Sequence, residues 1–168
     1  MDIFYYIKHS KLDKIKLFDN FNYYNNERIG IFNKDSITPL IFAINTMNNS
    51  IIEFLINKSD YNLCDRYGNY PIHYLVIKND IRSMIYLLEK KKVDIDVKNN
   101  YNETALELAE LLRFTEIIKI IETYKRKLYR EQLILIRFSK KNSYENKLNN
   151  YLFHDSPYEL FRNVISYL

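Results

Sequence analysis

At 168 residues the chain has room for one domain, or one domain with a short appendage, because domains typically run to about 100–150 residues. Hydrophobic residues at 47% and charged residues at 27% exclude a disordered chain, and two Gly with three Pro exclude an all-β sandwich built on many tight turns. The net charge of +4 is concentrated: Lys125, Arg126, Lys127, Arg130, Arg137, Lys140, Lys141 and Lys147 face only Glu131 and Glu145 between positions 125 and 150, a local +6 against −2 for everything else.

The N-terminus, with Asp2 and a short apolar patch before His9, lacks the basic start and apolar run of a secretory signal. No run approaches the roughly 20 apolar residues needed to span a bilayer. Asp2–His9 and Lys11–Asp19 are expected to form a helix pair, with Leu12, Ile15 and Phe18 keeping the apolar period of the second helix. A long connection, Asn20–Asn33, follows. Thr38-Pro39 then marks a helix start, since Pro is tolerated in the first turn and the preceding Thr can cap it. Ile51, Ile52, Leu55 and Ile56 form an i, i+1, i+4, i+5 stripe on the next helix. Cys64 is the single cysteine, so no intramolecular disulfide can form; beside Leu63 it reads as core packing, and a reducing compartment, cytosolic or nuclear, is expected. Tyr70-Pro71 and Thr104-Ala105 mark two further helix starts, and the segments Met84–Leu88 and Ile117–Ile121 repeat the apolar stripe. Tyr124 to about Lys141 reads as a separate helix with Leu128, Leu133, Leu135 and Ile136 apolar. Lys141–Asn150 reads as a linker, and Ser156-Pro157 as the cap and first turn of a last helix ending at Leu168.

Three of these segments align. Thr38, Pro39, Leu40 and Ala43 in the first, Asp65, Gly68, Pro71 and His73 in the second, and Thr104, Leu106 and Ala109 in the third recur at spacings of 32 (Pro39 to Pro71) and 34 (Pro71 to Ala105). The pattern resembles the ankyrin family, whose repeat of about 33 residues runs from an Asp-x-x-Gly turn into Thr-Pro-Leu-His-x-Ala. The resemblance implies an all-α solenoid of about four helix-turn-helix units over residues 1–128, at about 1–32, 33–64, 65–98 and 99–128, followed by a helical tail, 129–168. Ser36 and Asn102 stand where the family's turn has Gly, so those turns are expected to be strained or reshaped. One unit cannot bury its own apolar face, and stacking supplies the core.

The chemistry of an enzyme is missing from the sequence. His9, His73 and His154 are scattered and none has a zinc-ligand spacing to Cys, Asp or Glu. No phosphate loop, nucleophile elbow or paired-carboxylate motif is present. The expectation is a non-enzymatic monomer with no cofactor and no metal. By the resemblance, His73 makes a structural hydrogen bond to a neighbouring turn, and a protein partner contacts the variable turn tips Lys34, Asp35, Ile37, Arg66, Tyr67, Asn69, Asn100, Tyr101 and Glu103. Tyr67 and Tyr101 occupy equivalent positions, and tyrosine suits binding because it buries large area with few rotors.

The last segment, with Pro157, Glu159, Leu160, Ile165, Tyr167 and Leu168, resembles the opening of an F-box over residues 156–168, as in poxvirus ankyrin proteins with a PRANC tail and in giant-virus ankyrin proteins. An origin of that kind also suits a composition rich in Ile, Lys, Asn, Tyr and Phe, and implies action in the host cytoplasm or nucleus. The resemblance implies that Pro157, Glu159, Leu160, Val164, Ile165 and Leu168 dock on a Skp1-type adaptor of a cullin ubiquitin ligase while the repeats hold a target. Two alternatives stand beside it: a scaffold that sequesters its partner, with the tail only capping the repeats, and binding of nucleic acid or an anionic surface through the basic segment 125–147.

Overall fold

The computed structural model of the chain describes residues 3–18 and 37–139, with side chains through residue 135. Among them all regular structure is helical: α1 (Ile3–Lys8), α2 (Leu12–Ile15), α3 (Pro39–Thr46), α4 (Asn49–Lys58), α5 (Pro71–Ile77), α6 (Ile81–Lys90), α7 (Ala105–Leu111) and α8 (Thr115–Ser139). The chain divides into two compact units, Met1–Tyr124 and Lys125–Leu168. The expected connection Asn20–Asn33, the linker Lys141–Asn150 and the last helix from Ser156 lie outside the described residues.

Helix starts follow local capping chemistry. Thr38 accepts the Ile41 N–H at 3.1 Å, with Pro39 in the first turn where no amide hydrogen is needed. Thr104 and Glu107 close a reciprocal box, the Thr104 hydroxyl accepting Glu107 N–H at 3.2 Å and the Glu107 carboxylate accepting Thr104 N–H at 2.7 Å. At α5 the side-chain acceptor is His73, whose Nδ1 takes the Tyr70 N–H at 3.1 Å. The second helices of two hairpins are capped by Asn48, accepting from Ile51 N–H, and Asp80, accepting from Ser83 N–H.

The first helices form one layer, α1 on α3, α3 on α5 and α5 on α7, and α4 packs on α6 in a second. The core is the expected stripes: Ile51, Ile52, Leu55 and Ile56 from α4, Met84, Leu87 and Leu88 from α6, Ile117 and Ile121 from α8. Ile3, Ile7, Leu40, Ile44, Leu75, Val76 and Ala109 fill the first-helix layer. Phe4 and Phe42 meet edge to face at 5.1 Å, joining the first hairpin to the next. Tyr124 receives the Val93 N–H and donates to the Lys91 carbonyl, both at 3.3 Å, which fixes the loop after α6.

Three expectations are corrected. Cys64 is exposed: on the extended approach to a turn it alternates with Asp65, which points inward, and its thiol meets the Tyr70 side chain. The second N-terminal helix stops at Ile15 instead of Asp19, because Leu17 and Phe18 switch to i−3 hydrogen bonds and only Ile15 of that helix is buried. The separate helix expected from Tyr124 is continuous with the preceding one as α8, since no Gly or Pro interrupts Ile121–Tyr124.

Candidate protein-binding surface

Two consecutive turns, Asp65–Asn69 and Asn99–Glu103, carry most of the candidate positions, and they are built alike. Asp65 Oδ1 accepts Tyr67 N–H and Asn69 N–H at 2.9 and 2.8 Å. Asn99 Oδ1 accepts Tyr101 N–H and Glu103 N–H, both at 3.0 Å. Gly68 takes φ 73° and Asn102 takes φ 64°, so Asn102 holds the turn that Gly68 makes, within the left-handed region that Asn tolerates. The turn expected to be reshaped at Asn102 keeps its geometry.

The turns are locked to each other. Asn100 N–H donates to the Tyr67 carbonyl at 2.9 Å and Asn100 Nδ2 to the Arg66 carbonyl at 3.0 Å. Asn99 Nδ2 reaches Asn69 Oδ1 at 3.1 Å. A Cβ on Gly68 would lie 2.5 Å from Asn100 Oδ1, so the glycine also makes room for the next turn. From behind, His73 Nε2–H donates to the Glu103 carbonyl at 3.2 Å.

This network sorts the candidate residues. Asn69, Asn100 and Glu103 spend their polar groups on it, Glu103 through its carboxylate accepting Asn99 Nδ2 at 3.1 Å. Arg66 lies with its guanidinium 4.6 Å from the Tyr67 ring centre, a cation–π contact that orients both outward. Tyr67 and Tyr101 are exposed, at 37% and 67%. Ile37 is half-buried just ahead of the Thr38 cap, on the approach to α3 and apart from these turns. Lys34 and Asp35, and in the tail Pro157, Glu159, Leu160, Val164, Ile165 and Leu168, lie outside the described residues. The tip pattern passed over Ile77 and Leu111, 43% and 70% exposed at matching positions of α5 and α7. The signal for them is an apolar residue six places after the helix-opening Pro71 or Ala105.

Charge in this region is quiet. Burial holds His73 below the ordinary histidine range, against the pull of the Glu103 and Val97 carbonyls and the Asp65 and Glu103 carboxylates. Burial, with Cys64 and Asp94 adding to it, pushes Tyr70 above the ordinary phenol range. No group of three or more His, Cys, Asp or Glu side chains that could hold a metal ion occurs among the described residues. Among those same residues no helix is long and apolar enough to cross a membrane.

Helix hairpins packed side by side, joined by turns that hydrogen-bond to one another, define a repeat scaffold. The family described as "Ankyrin repeats (3 copies)" matches residues 4–99 and, overlapping, 40–127, and the chain belongs to the ankyrin-repeat family. The chain is also similar to alpha-latrotoxin-Lg1a of Latrodectus geometricus, at 40% identity over 128 residues, an alignment that covers 71% of this chain and 9% of that protein. The matched stretch is less than a tenth of that relative's length. Ankyrin-repeat proteins are generally non-enzymatic protein-interaction scaffolds, and their repeats imply a protein partner here.

Proposed function

We propose that the chain binds its protein partner along the two locked turns, with Tyr67 and Tyr101 as anchors and Arg66, Ile77 and Leu111 contributing around them. The observation that carries this is the repetition of an exposed tyrosine at one position of consecutive turns whose backbones are fixed to each other. A pre-ordered aromatic pair loses little freedom on binding, and interface tyrosines are among the residues whose truncation costs most. Affinity purification with mass spectrometry identifies the partner. Tyr67→Ala/Tyr101→Ala is then expected to weaken its binding by about 2 kcal/mol, roughly thirtyfold, with the helical signal unchanged. Wild-type affinity in the folded double variant removes the reading.

The finer reading keeps the division of labour suggested by the sequence, repeats over 1–128 holding a target and the tail over 129–168 recruiting a Skp1-type adaptor. Its support is the F-box-like pattern from Pro157 to Leu168. The mechanism is proximity: tethering raises the target's effective concentration at the ligase without chemistry by the scaffold. Recovery of a Skp1-type protein by the full chain, lost on deleting residues 152–168, supports it. Equal recovery after the deletion removes the tail's role, and no recovery by the full chain leaves the sequestering scaffold.

A further inference from the structure

His73 is fully buried and uses both ring nitrogens. Nδ1 accepts from Tyr70 N–H at the start of α5, and Nε2 faces the Glu103 carbonyl at the end of the next turn. A donor on one side and an acceptor on the other require the neutral tautomer with its proton on Nε2. The equivalent residues of the neighbouring hairpins, Ile41 and Glu107, do not make this bridge: Ile41 has no polar side chain, and Glu107 folds back onto Thr104 N–H and Oγ1 at 2.7 and 2.8 Å. One ionisable ring therefore ties the start of α5 to the turn that carries Tyr101.

A second proton on that ring meets three obstacles. The imidazolium would be desolvated. Its new Nδ1–H would point at the Tyr70 N–H, donor against donor. The first turn of a helix is also the positive end of its dipole. The ionisable groups facing the ring are the Asp65 carboxylate from its own turn and the Glu103 carboxylate from the next, both of which favour the charged form, and the Tyr70 phenol, its ring centre 5.9 Å away. Of the helices packed on α5, α3 has no ionisable residue, α7 has Glu107, held by Thr104, and Glu110, and α6 has its cap Asp80, Arg82, paired with Glu53 at 2.9 Å, Tyr86, which accepts from Asn57, and Glu89 and Lys90 at its far end.

We propose that His73 is an acid-sensitive latch: protonation breaks the Tyr70 N–H to Nδ1 bond, releases the Asn99–Glu103 turn from the start of α5 and misaligns Tyr67 and Tyr101. The last step rests on the docking role proposed above for those tyrosines; the first two do not. The sign follows from linkage. With the folded pKa held down, the latch is fully present above the unfolded value of about 6.5, and its contribution is lost progressively as pH falls below that value and through the folded one.

The test is amide hydrogen exchange on the full chain, corrected for intrinsic rates, at about pH 7.5 and about pH 5. His73→Gln is the comparison, because its Oε1 and Nε2 can take both bonds without titrating. Protection at Tyr70, Asn100 and Glu103 is expected to fall about tenfold or more with acid in the wild type and to stay nearly level in His73→Gln. An equal fall in both chains assigns the effect to the carboxylates and overturns the latch, as does level protection in the wild type. Should His73→Gln not fold, the His73 ring resonance decides: a midpoint at or above about 6.5 overturns the proposal and one well below supports it. Exchange needs no partner, so retained binding by Tyr67→Ala/Tyr101→Ala removes the docking role while the exchange result stands.

Discussion

Asp65 and Asn99 hold the same place in consecutive turns and differ by a single atom, which their neighbours account for. Each uses Oδ1 to gather two backbone N–H groups of its own turn. The second atom diverges. Asp65 Oδ2 accepts the Tyr74 hydroxyl at 2.7 Å, whereas the residue matching Tyr74 in the next unit is Leu108, which has nothing to donate. Asn99 places an amino group there and gives its hydrogens to Asn69 Oδ1 and Glu103 Oε2, both at 3.1 Å. An aspartate at 99 would turn two donors into acceptors and set a carboxylate against that of Glu103 at a buried position. Asn99→Asp is therefore expected to cost about 2 kcal/mol at neutral pH, from two lost bonds and like-charge repulsion. The cost should shrink in acid, where a proton on either carboxylate relieves the repulsion, the reverse of the usual acid destabilisation. Urea unfolding of both chains at neutral and at acid pH measures this, and a penalty independent of pH would mean that the carboxylates do not meet.

At the scale of the elements, each hairpin reverses direction through one residue in the left-handed region: Ser10 between α1 and α2, Met47 between α3 and α4, Asn79 between α5 and α6, Arg113 between α7 and α8, at φ 51–59°. The spacings of 32 from Met47 to Asn79 and 34 from Asn79 to Arg113 repeat those of the helix starts. None of the four is glycine, so Met47 and Arg113 carry Cβ strain of about 1 kcal/mol each, and Asn79 less. Met47→Gly and Arg113→Gly should each raise stability by up to about 0.5 kcal/mol, net of the extra freedom of Gly in the unfolded chain, and Asn79→Gly, with less strain to relieve, should be neutral or slightly destabilising. Thermal or urea unfolding ranks them, and a loss at Met47 would show that its half-exposed side chain packs more than it strains. The same feature explains which part of the fold was legible. Helix starts could be read because Thr38, Thr104, Pro39 and Pro71 signal capping locally. Helix ends are less legible, because Ser10, Met47, Asn79 and Arg113 end α1, α3, α5 and α7 without a Gly signal, and because α2 stops on i−3 hydrogen bonds at Leu17 and Phe18 that no residue type announces. Of the tip positions, Arg66, Tyr67, Asn69, Asn100, Tyr101 and Glu103 do lie on turns, whereas Ile37 does not. That Asn69, Asn100 and Glu103 would be spent on holding turns together was not legible, since those bonds cross from one unit to the next and leave no trace in local pattern.

For the molecule as a whole, the described helices of the Met1–Tyr124 unit pack neighbour on neighbour. Contacts run α1 to α3, α3 to α5, α5 to α7 and α4 to α6, and within that unit the first seven helices have four to ten residues each, too short to persist in isolation. In such an array stability is close to a sum of per-unit and nearest-neighbour terms, so the effect of a core truncation depends on how many interfaces its helix serves. Leu75 and Ile7 are both fully buried, and either one replaced by Ala loses about 2–5 kcal/mol of local packing. Helix α5 packs on α3, α6 and α7, whereas α1 packs on α2 and α3 at one end. Leu75→Ala is therefore expected to speed amide exchange from α1 through α7, because weakening the middle of the row lowers the stability of everything joined through it, out of a total of only about 5–15 kcal/mol. Ile7→Ala is expected to speed exchange in α1 and α2 while α5 and α7 keep wild-type rates, the end pair fraying alone. If Ile7→Ala accelerated α7 as much as α1, the unit would be unfolding as one closed core, and the nearest-neighbour account of its stability would fail.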